Sequence, residues 1–346
     1  MLQSIIDRYK NYRKQSFLRM PERYAHAYAF VGAGGHSLDN LYPILDFLAV
    51  PLRYIVTRRL ENAQRMASRY VGATGTTKLE EVLADPKIKG VFVCVHPKKH
   101  FAIAKTVLEA GKGLFIEKPP CFSVDELDQL QALSQEKSLP CVVGLQKRYA
   151  VIYAKLRPYL KNTIHYRFDY LTGAYPEGNP WWDLFIHPLD LVHDLFGTAT
   201  LTSLEQAGSS FFVHVRHANG VLGSLTFSTG YSWQSPVEKL EVCTKLGCFE
   251  AKNLHTLTFV PAPKQVLGIP VEKLLSSPRK TEQHYHNSGF VPLRQFNPLY
   301  THGYAGELET FLDLVEGRGG ENRSSPAQIR DTFLMLERIS PIKSVQ

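Results

Sequence analysis

A lysine ammonium and a histidine imidazole are the groups in this chain best suited to handling a proton near neutral pH, and each stands in a distinctive setting. Lys118 closes the run Gly113-Leu114-Phe115-Ile116-Glu117-Lys118-Pro119-Pro120. Neither proline can donate to a strand ladder, and Pro119 biases Lys118 toward an extended backbone. The run therefore predicts a short buried strand that stops at a carboxylate and an amine. His187 lies in Trp181-Trp182-Asp183-Leu184-Phe185-Ile186-His187-Pro188-Leu189-Asp190-Leu191-Val192-His193-Asp194-Leu195-Phe196-Gly197. At helical spacing Asp183, His187, Asp190 and Asp194 share one narrow face, and apolar side chains cover the rest. Such a helix is expected to be buried, so its ionisable stripe needs partners or a task. Pro188 leaves two geometries open: the helix bends there, or begins there with His187 as its cap and Asp183 out of phase. A buried structural network is the plain alternative for the stripe, as an exposed charge pair is for Glu117-Lys118.

The surrounding elements decide how these groups are placed. Residues 26–31 form a strand candidate leading into Gly32-Ala33-Gly34-Gly35-His36-Ser37, then a helical stretch to about Ala49 that Pro43 bends or ends early, then a second strand Leu52–Val56. This βαβ unit is the context that gives a glycine-rich loop meaning. Gly32 makes the tight turn, Gly34 lets the backbone approach a pyrophosphate, and Gly35, His36 and Ser37 open the helix. Ser37 replaces the expected third glycine. At the end of the second strand stand Thr57, Arg58 and Arg59, where an NAD site would place an acid for the ribose hydroxyl. Two guanidinium groups suit a 2′-phosphate instead, which favours NADP over NAD. A third strand, Val91–Val95, ends at His96-Pro97-Lys98-Lys99-His100, and its two histidines and Pro97 are candidates for the cofactor's surroundings, as is Glu117. With the Lys118 strand and Cys141–Gly144, strands separated by single helices predict a doubly wound parallel sheet.

Beyond Gly144 the texture changes. Gln146-Lys147-Arg148-Tyr149 leads into a helix over 151–160, and then strands follow one another without helices: 163–171, 200–206, 211–217, 221–228, 240–243, 248–251 and 257–260. That run predicts a large, mainly antiparallel sheet in an α+β second domain. Residues 262–300 look like a long loop. Two helices, 305–316 and 326–339, close the chain, with Ser325 as cap and Pro326 in the first turn. The expected division is a basic amphipathic arm over 1–25, a nucleotide-binding domain over 26–148, and a substrate-binding and oligomerisation domain over 149–346.

Composition is that of an ordinary folded protein, 44% hydrophobic and 21% charged over 346 residues, and the length favours two domains. The formal charge of +8 is concentrated, because six Lys/Arg against Asp7 and Glu22 put half of it in residues 1–23. The remainder is only mildly basic, which suits a phosphorylated cofactor better than nucleic acid. In the arm Leu2, Ile5, Ile6, Tyr9 and Tyr12 fall at helical spacing, so the helix is expected to pack on this protein or a sister subunit. The five cysteines show no metal-ligand spacing, which points to a reduced cytosolic setting and no metal site. No apolar run approaches a membrane span, and the first twenty residues lack a signal-peptide core.

Taken together, the glycine-rich βαβ unit, the V-x-V-x-x-P-x-x-x-H segment from Val93 to His100, Glu117-Lys118-Pro119, the Gly-x-x-x-Arg segment of Gly144 and Arg148, and D-x-x-x-H-x-x-D resemble the Gfo/Idh/MocA oxidoreductases. The similarity spans about residues 26–340. It implies a Rossmann domain followed by an α/β domain whose open sheet often forms a subunit interface, hence a homodimer or homotetramer. It further implies nicotinamide-dependent oxidation or reduction of sugars, inositols and related compounds. By this resemblance Lys118, Asp183 and His187 face the substrate. The resulting expectation is hydride exchange between NADP and a carbinol or carbonyl carbon. His187 moves the proton, Lys118 polarises the oxygen and Asp183 orients His187, with the first two roles interchangeable. Arg148, Tyr149 and Trp182 are further candidates for substrate contact. The rival readings are a glycosidase-type enzyme that retains and regenerates its nicotinamide, and a non-catalytic NADP-binding sensor or assembly subunit.

Overall fold

Strands buried on both faces carry near-continuous apolar runs, and Val91-Phe92-Val93, Leu114-Phe115-Ile116 and Cys141-Val142-Val143 are of that kind. The structure, a computed structural model, describes residues 2–18, 24–273, 280–287 and 297–340. In it these runs lie in a six-stranded sheet made of Ala27–Val31 (β1), Leu52–Val56 (β2), Thr74–Thr76 (β3), Ile88–Val93 (β4), Gly113–Glu117 (β5) and Cys141–Gly144 (β6). The order is β3-β2-β1-β4-β5-β6, and each neighbouring pair runs parallel. The chain leaves β1 in one direction and returns at β4 on its other side. That reversal opens a crevice beyond the strands' carboxyl ends, the place where such sheets bind ligands. The edge strand β3 escapes the sequence pattern because Thr-Gly-Thr is short and carries no apolar alternation.

The second half forms an eight-stranded sheet. Its strands are Thr163–Leu171 (β7), Ala199–Ala207 (β8), Ser210–His217 (β9), Leu222–Ser228 (β10), Val237–Thr244 (β11), Gly247–Lys252 (β12), Thr256–Pro261 (β13) and Glu282–His286, the last of which is β16 after the small hairpin Gln265–Val266 (β14) and Ile269–Pro270 (β15). The order is β16-β13-β12-β11-β7-β10-β9-β8. Only β7 and β10 pair in parallel; the other pairs are antiparallel. One face buries Phe168, Val213, Leu225, Phe227, Leu240 and Val242 beneath the helix Ile186–Phe196. The expected loop over 262–300 thus contains a strand that pairs with β13 at the sheet's edge. Glu-Gln-His-Tyr-His has no β-branched residue to announce it, and an edge strand needs only its backbone groups. Within that stretch 274–279 and 288–296 lie outside the described residues.

The closing helices join the halves. Tyr304–Val315 lays Ala305, Leu308, Phe311 and Leu312 on the parallel sheet against Tyr28, Phe30, Phe92 and Phe115. Pro326–Ile339 is capped by Ser325, whose Oγ accepts from the Gln328 amide at 3.3 Å. It meets both Val124–Glu136 and Ile186–Phe196. Arg330 pairs with Asp128 at 2.8 Å on the first of these. The amino-terminal segment Leu2–Leu18 is helical as expected, with Leu2, Ile5, Ile6, Tyr9 and Tyr12 exposed in the single chain; residues 1 and 19–23 are outside the described set. Among the described residues no helix is long and apolar enough to cross a membrane.

Candidate active site

The crevice is built from loops that leave the parallel strands. After β1 the backbone turns at Gly32, whose φ is +119°, and any Cβ there would overlap the Cys94 carbonyl. Only glycine fits. Nothing lies within 4 Å of a Cβ built on Gly34 or Gly35, so the backbone there is open to a close-lying ligand. Ser37 secures the loop in place of a third glycine: its hydroxyl donates to the Gly34 carbonyl at 2.9 Å and accepts from the Gly34 amide at 3.1 Å. Pro43 does not end the helix. A wide π-turn over Ser37–Leu41 runs without a break into the α-turns of Tyr42–Phe47, and Pro43 falls where the wide turn gives way to the tighter one.

At the end of β2 the Thr57 hydroxyl donates to the Arg59 carbonyl at 2.7 Å, fixing the turn rather than facing outward. Arg58 and Arg59 are exposed, and among the described residues neither guanidinium meets a carboxylate. At the end of β4, His96 caps the short turn Pro97–Lys99, its Nδ1 accepting from the Lys98 amide at 3.3 Å. His100 is fully buried. Its Nδ1–H donates to the Pro119 carbonyl at 2.7 Å, and its Nε2 accepts from the Val95 amide at 3.4 Å. Burial lowers its pKa. His100 therefore braces the β4 and β5 ends together, and the expected ligand contact is replaced by a structural one.

Glu117 ends β5 with its carboxylate turned inward. It accepts from His36 Nε2 at 3.2 Å and from the Lys118 amide at 3.2 Å, and it fills the space a side chain on Gly144 would need. Burial alone would depress the His36 pKa, but the Glu117 hydrogen bond and charge raise it above the usual histidine value. Lys118 extends across the crevice, where its Nζ donates to the backbone carbonyl of Asp183 from the other half. Burial pulls the ammonium's pKa below the ordinary lysine value.

The polar stripe around His187 divides in two. Trp181–Phe185 is a wide π-turn, and the α-helix proper begins at Ile186, with Pro188 in its first turn. The change of pitch shifts Asp183 out of phase with His187, so the expected pair between them is not formed. The Asp183 carboxylate lies beside Tyr175, and burial raises its pKa. His187 Nδ1 is buried with no partner among the described residues. Burial first, then the charges of Lys118, Lys147 and His36, hold its imidazole well below the ordinary histidine pKa, hence neutral. Asp190 and Asp194 belong instead to a structural network. Arg148, 1% exposed, clasps Asp190 with two bonds of 2.7 and 2.6 Å and reaches the carbonyls of Arg323 and Gln328. Asp194 pairs with Arg157 and, at 2.8 Å, with Arg323.

Three further expectations of substrate contact change accordingly. Arg148 has Nε, Nη1 and Nη2 all committed to protein partners, leaving none for a ligand. Trp182 is 1% exposed, packs on Phe122 and Phe333, and donates its indole N–H to the Ser340 carbonyl at 3.2 Å. Tyr149 is half-buried with its hydroxyl 3.0 Å from the Ser324 hydroxyl. Two groups that pattern reading passes over sit nearby. Lys147 pairs in the interior with Glu238, which also accepts from the Tyr153 hydroxyl at 2.7 Å. Burial opposes the Lys147 charge, but Glu238 raises its pKa overall. Glu307 is wholly buried on Tyr304–Val315, and neither carboxylate oxygen has a partner among the described residues. Burial and the Glu117 charge push its pKa far up, so it is held as the neutral acid. A carboxylate one turn from Phe311 on an otherwise apolar face was the available signal.

A parallel sheet in the order 3-2-1-4-5-6 and a glycine turn open to a pyrophosphate, with a lysine aimed across the crevice, define a doubly wound nucleotide-binding fold. Comparison with known proteins agrees. Residues 26–145 match the model of the Gfo/Idh/MocA oxidoreductase family, NAD-binding Rossmann fold. It is 28% identical over 155 residues to the uncharacterized oxidoreductase YhhX of Escherichia coli K12; the match takes in 41% of this chain and 45% of that relative, less than half its length. A dehydrogenase from Chromobacterium violaceum superposes with a TM-score of 0.76 at 19% identity, covering 91% of this chain and 94% of the other. UDP-N-acetylglucosamine 3-dehydrogenase from Acidithiobacillus ferrooxidans gives 0.71 at 19% identity, over 90% and 95%.

Proposed function

We propose that this protein is an NADP(H)-dependent oxidoreductase that exchanges a hydride with the carbinol or carbonyl carbon of a sugar, cyclic polyol or related small molecule. The observation that carries this reading is Lys118, a half-buried amine of lowered pKa that crosses from the nucleotide-binding crevice to the second half beside a neutral histidine. Gly32, Gly34, Gly35 and Ser37 would hold the cofactor's pyrophosphate, and Arg58 and Arg59 its 2′-phosphate. The open backbone at Gly34 and the absence of an acid at the β2 end among the described residues are what fit them for NADP. When bound, the nicotinamide supplies or accepts the hydride.

The proton then falls to the chain's own groups. An imidazole whose pKa lies well below neutrality is a poor acid at pH 7, whereas an ammonium of depressed pKa lies closer to the working range. Lys118 therefore moves the proton at the reacting oxygen, and neutral His187 accepts or donates a hydrogen bond to hold that oxygen in place. This assigns to the lysine the role the sequence had given first to the histidine. Asp183 contributes through its backbone carbonyl, which fixes the Lys118 side chain. Glu117 keeps His36 over the glycine loop.

Oxidation of NADPH by purified protein in the presence of a panel of keto-sugars tests the reading. Turnover that falls at least 100-fold in Lys118→Ala and His187→Ala is expected. No turnover with any member of the panel, or rates in both variants unchanged from the parent, overturns it.

A further inference from the structure

Two exposed aromatic side chains stand outside the groups used above, on a loop beside the segment that carries Tyr175 and Asp183. Two loops leave the same edge of the second sheet, because β7 and β10 run parallel: 172–180 after β7 and 229–236 after β10. The second loop carries Tyr231 and Trp233, 57% and 53% exposed, two residues apart. It is not a loose turn. The Thr229 amide donates to the Ser209 carbonyl at 3.1 Å and the Tyr231 amide to the Thr172 carbonyl at 2.8 Å. The Trp233 indole N–H donates to the Ala174 carbonyl at 2.8 Å, and its ring lies so close to Gly173 that a Cβ there would overlap it. The indole is thus locked by its polar edge and by a glycine that makes room for it, while half its surface stays in water.

The first loop continues from Ala174 to Tyr175, whose ring lies with the Asp183 carboxylate against Gly178, and on to Asp183 itself, whose carbonyl receives Lys118. A continuous set of contacts therefore runs from Lys118 to Trp233. Singly exposed aromatics need no explanation, but an indole held by its polar edge, next to the segment that receives Lys118, is a surface on which flat rings stack. Because the hydrogen bond to Ala174 already fixes the indole, stacking costs little further ordering.

We infer that Tyr231 and Trp233, with Tyr175, form an outer subsite for a second ring carried by the substrate beyond the ring that reacts at Lys118. The ligand class is a two-ring molecule, either a disaccharide-like glycoside or a nucleotide-linked sugar, and both present a flat face to the indole. This rests on the reading of the Lys118 crevice given above.

The chain has three tryptophans, and Trp181 and Trp182 are buried, so solvent-sensitive tryptophan emission reports Trp233. The full-length protein with NADP is titrated with cellobiose, UDP-N-acetylglucosamine and methyl β-glucoside, following emission and, by calorimetry, affinity. Expected is saturable quenching by one of the two-ring probes, weakened at least tenfold in Trp233→Ala and less than threefold in Trp233→Phe, with methyl β-glucoside affinity changed less than twofold. Cellobiose binding assigns the outer ring to a sugar, and UDP-N-acetylglucosamine binding assigns it to a nucleotide. NADP affinity should be the same in all variants. Quenching by neither two-ring probe, or equal losses for one-ring and two-ring probes, overturns the subsite while leaving the Lys118 reading to its own turnover test. A concentration-dependent dimer that Trp233→Ala dissolves also overturns it, by making the rim a self-association surface.

Discussion

The charge on Lys118 helps to set the protonation of His187. Both are desolvated, and the lysine charge near the imidazole makes a second positive charge there unfavourable. If Lys118 handles the proton, Lys118→Met should lower kcat by about 10²–10⁴-fold, the usual range for losing an acid–base group, with NADPH affinity altered less than threefold. Steady-state rates and fluorescence titration with NADPH check this. His187 gives a separate test through stability. Its folded pKa lies below its unfolded value, so its contribution is fully present above about pH 6.5 and is lost as pH falls toward the folded pKa. His187→Gln should therefore flatten the acid slope of stability, by as much as about 1.4 kcal/mol per pH unit, in urea denaturation between pH 5 and 7.5. An unchanged slope would mean that the imidazole is not kept neutral. At this scale Lys118 and the glycine turn were visible in the sequence because prolines and glycines restrict the backbone locally. Where Arg148 and Lys147 point was not, since successive residues of a tight turn face different ways and only their distant partners, Asp190 and Glu238, distinguish them.

Elements hold these groups through buried charge. The Arg148 clasp joins the turn after β6 to the helix Ile186–Phe196 and to the chain before Pro326, so removing it strands Asp190 in the interior. Arg148→Ala should cost about 3–5 kcal/mol of unfolding free energy, measured by denaturant, and Arg148→Lys should recover little of it because an ammonium cannot make the paired bonds. The helix Tyr304–Val315 carries a contrasting device. Glu307 has a raised folded pKa, so its contribution is present below about pH 4.5 and lost as pH rises toward the folded value. Glu307→Gln should match the parent near pH 4.5 and exceed it in melting temperature at pH 8; equal melting temperatures at both pH values would contradict the neutral-acid assignment. Helix Pro326–Ile339 was readable to its cap because Ser325-Pro326 states the start locally. The start of the helix at Ile186 was not, because a π-turn differs from an α-turn by one residue that no periodicity marks.

Across the whole molecule, two sheets of different construction meet at one crevice, and the closing helices lock them. Alternation of strands with helices announced the first sheet and uninterrupted strands the second; the edge strands β3 and β16 stayed hidden because edges need little apolar side chain. Cofactor choice belongs to this scale, since it depends on charge displayed at the rim. Replacing Arg58 and Arg59 with serine should weaken NADP binding at least tenfold, about 1.4 kcal/mol, and leave NAD binding within threefold. Equal effects on both cofactors would remove the argument for the 2′-phosphate. The most direct test of the account is a crystal structure of the protein with NADP and a sugar-like ligand. The account predicts the nicotinamide's reactive carbon within about 3–3.5 Å of a carbinol carbon, whose oxygen is within hydrogen-bonding reach of both Lys118 Nζ and His187. A ligand seated elsewhere, or a nicotinamide turned away from Lys118, would contradict it.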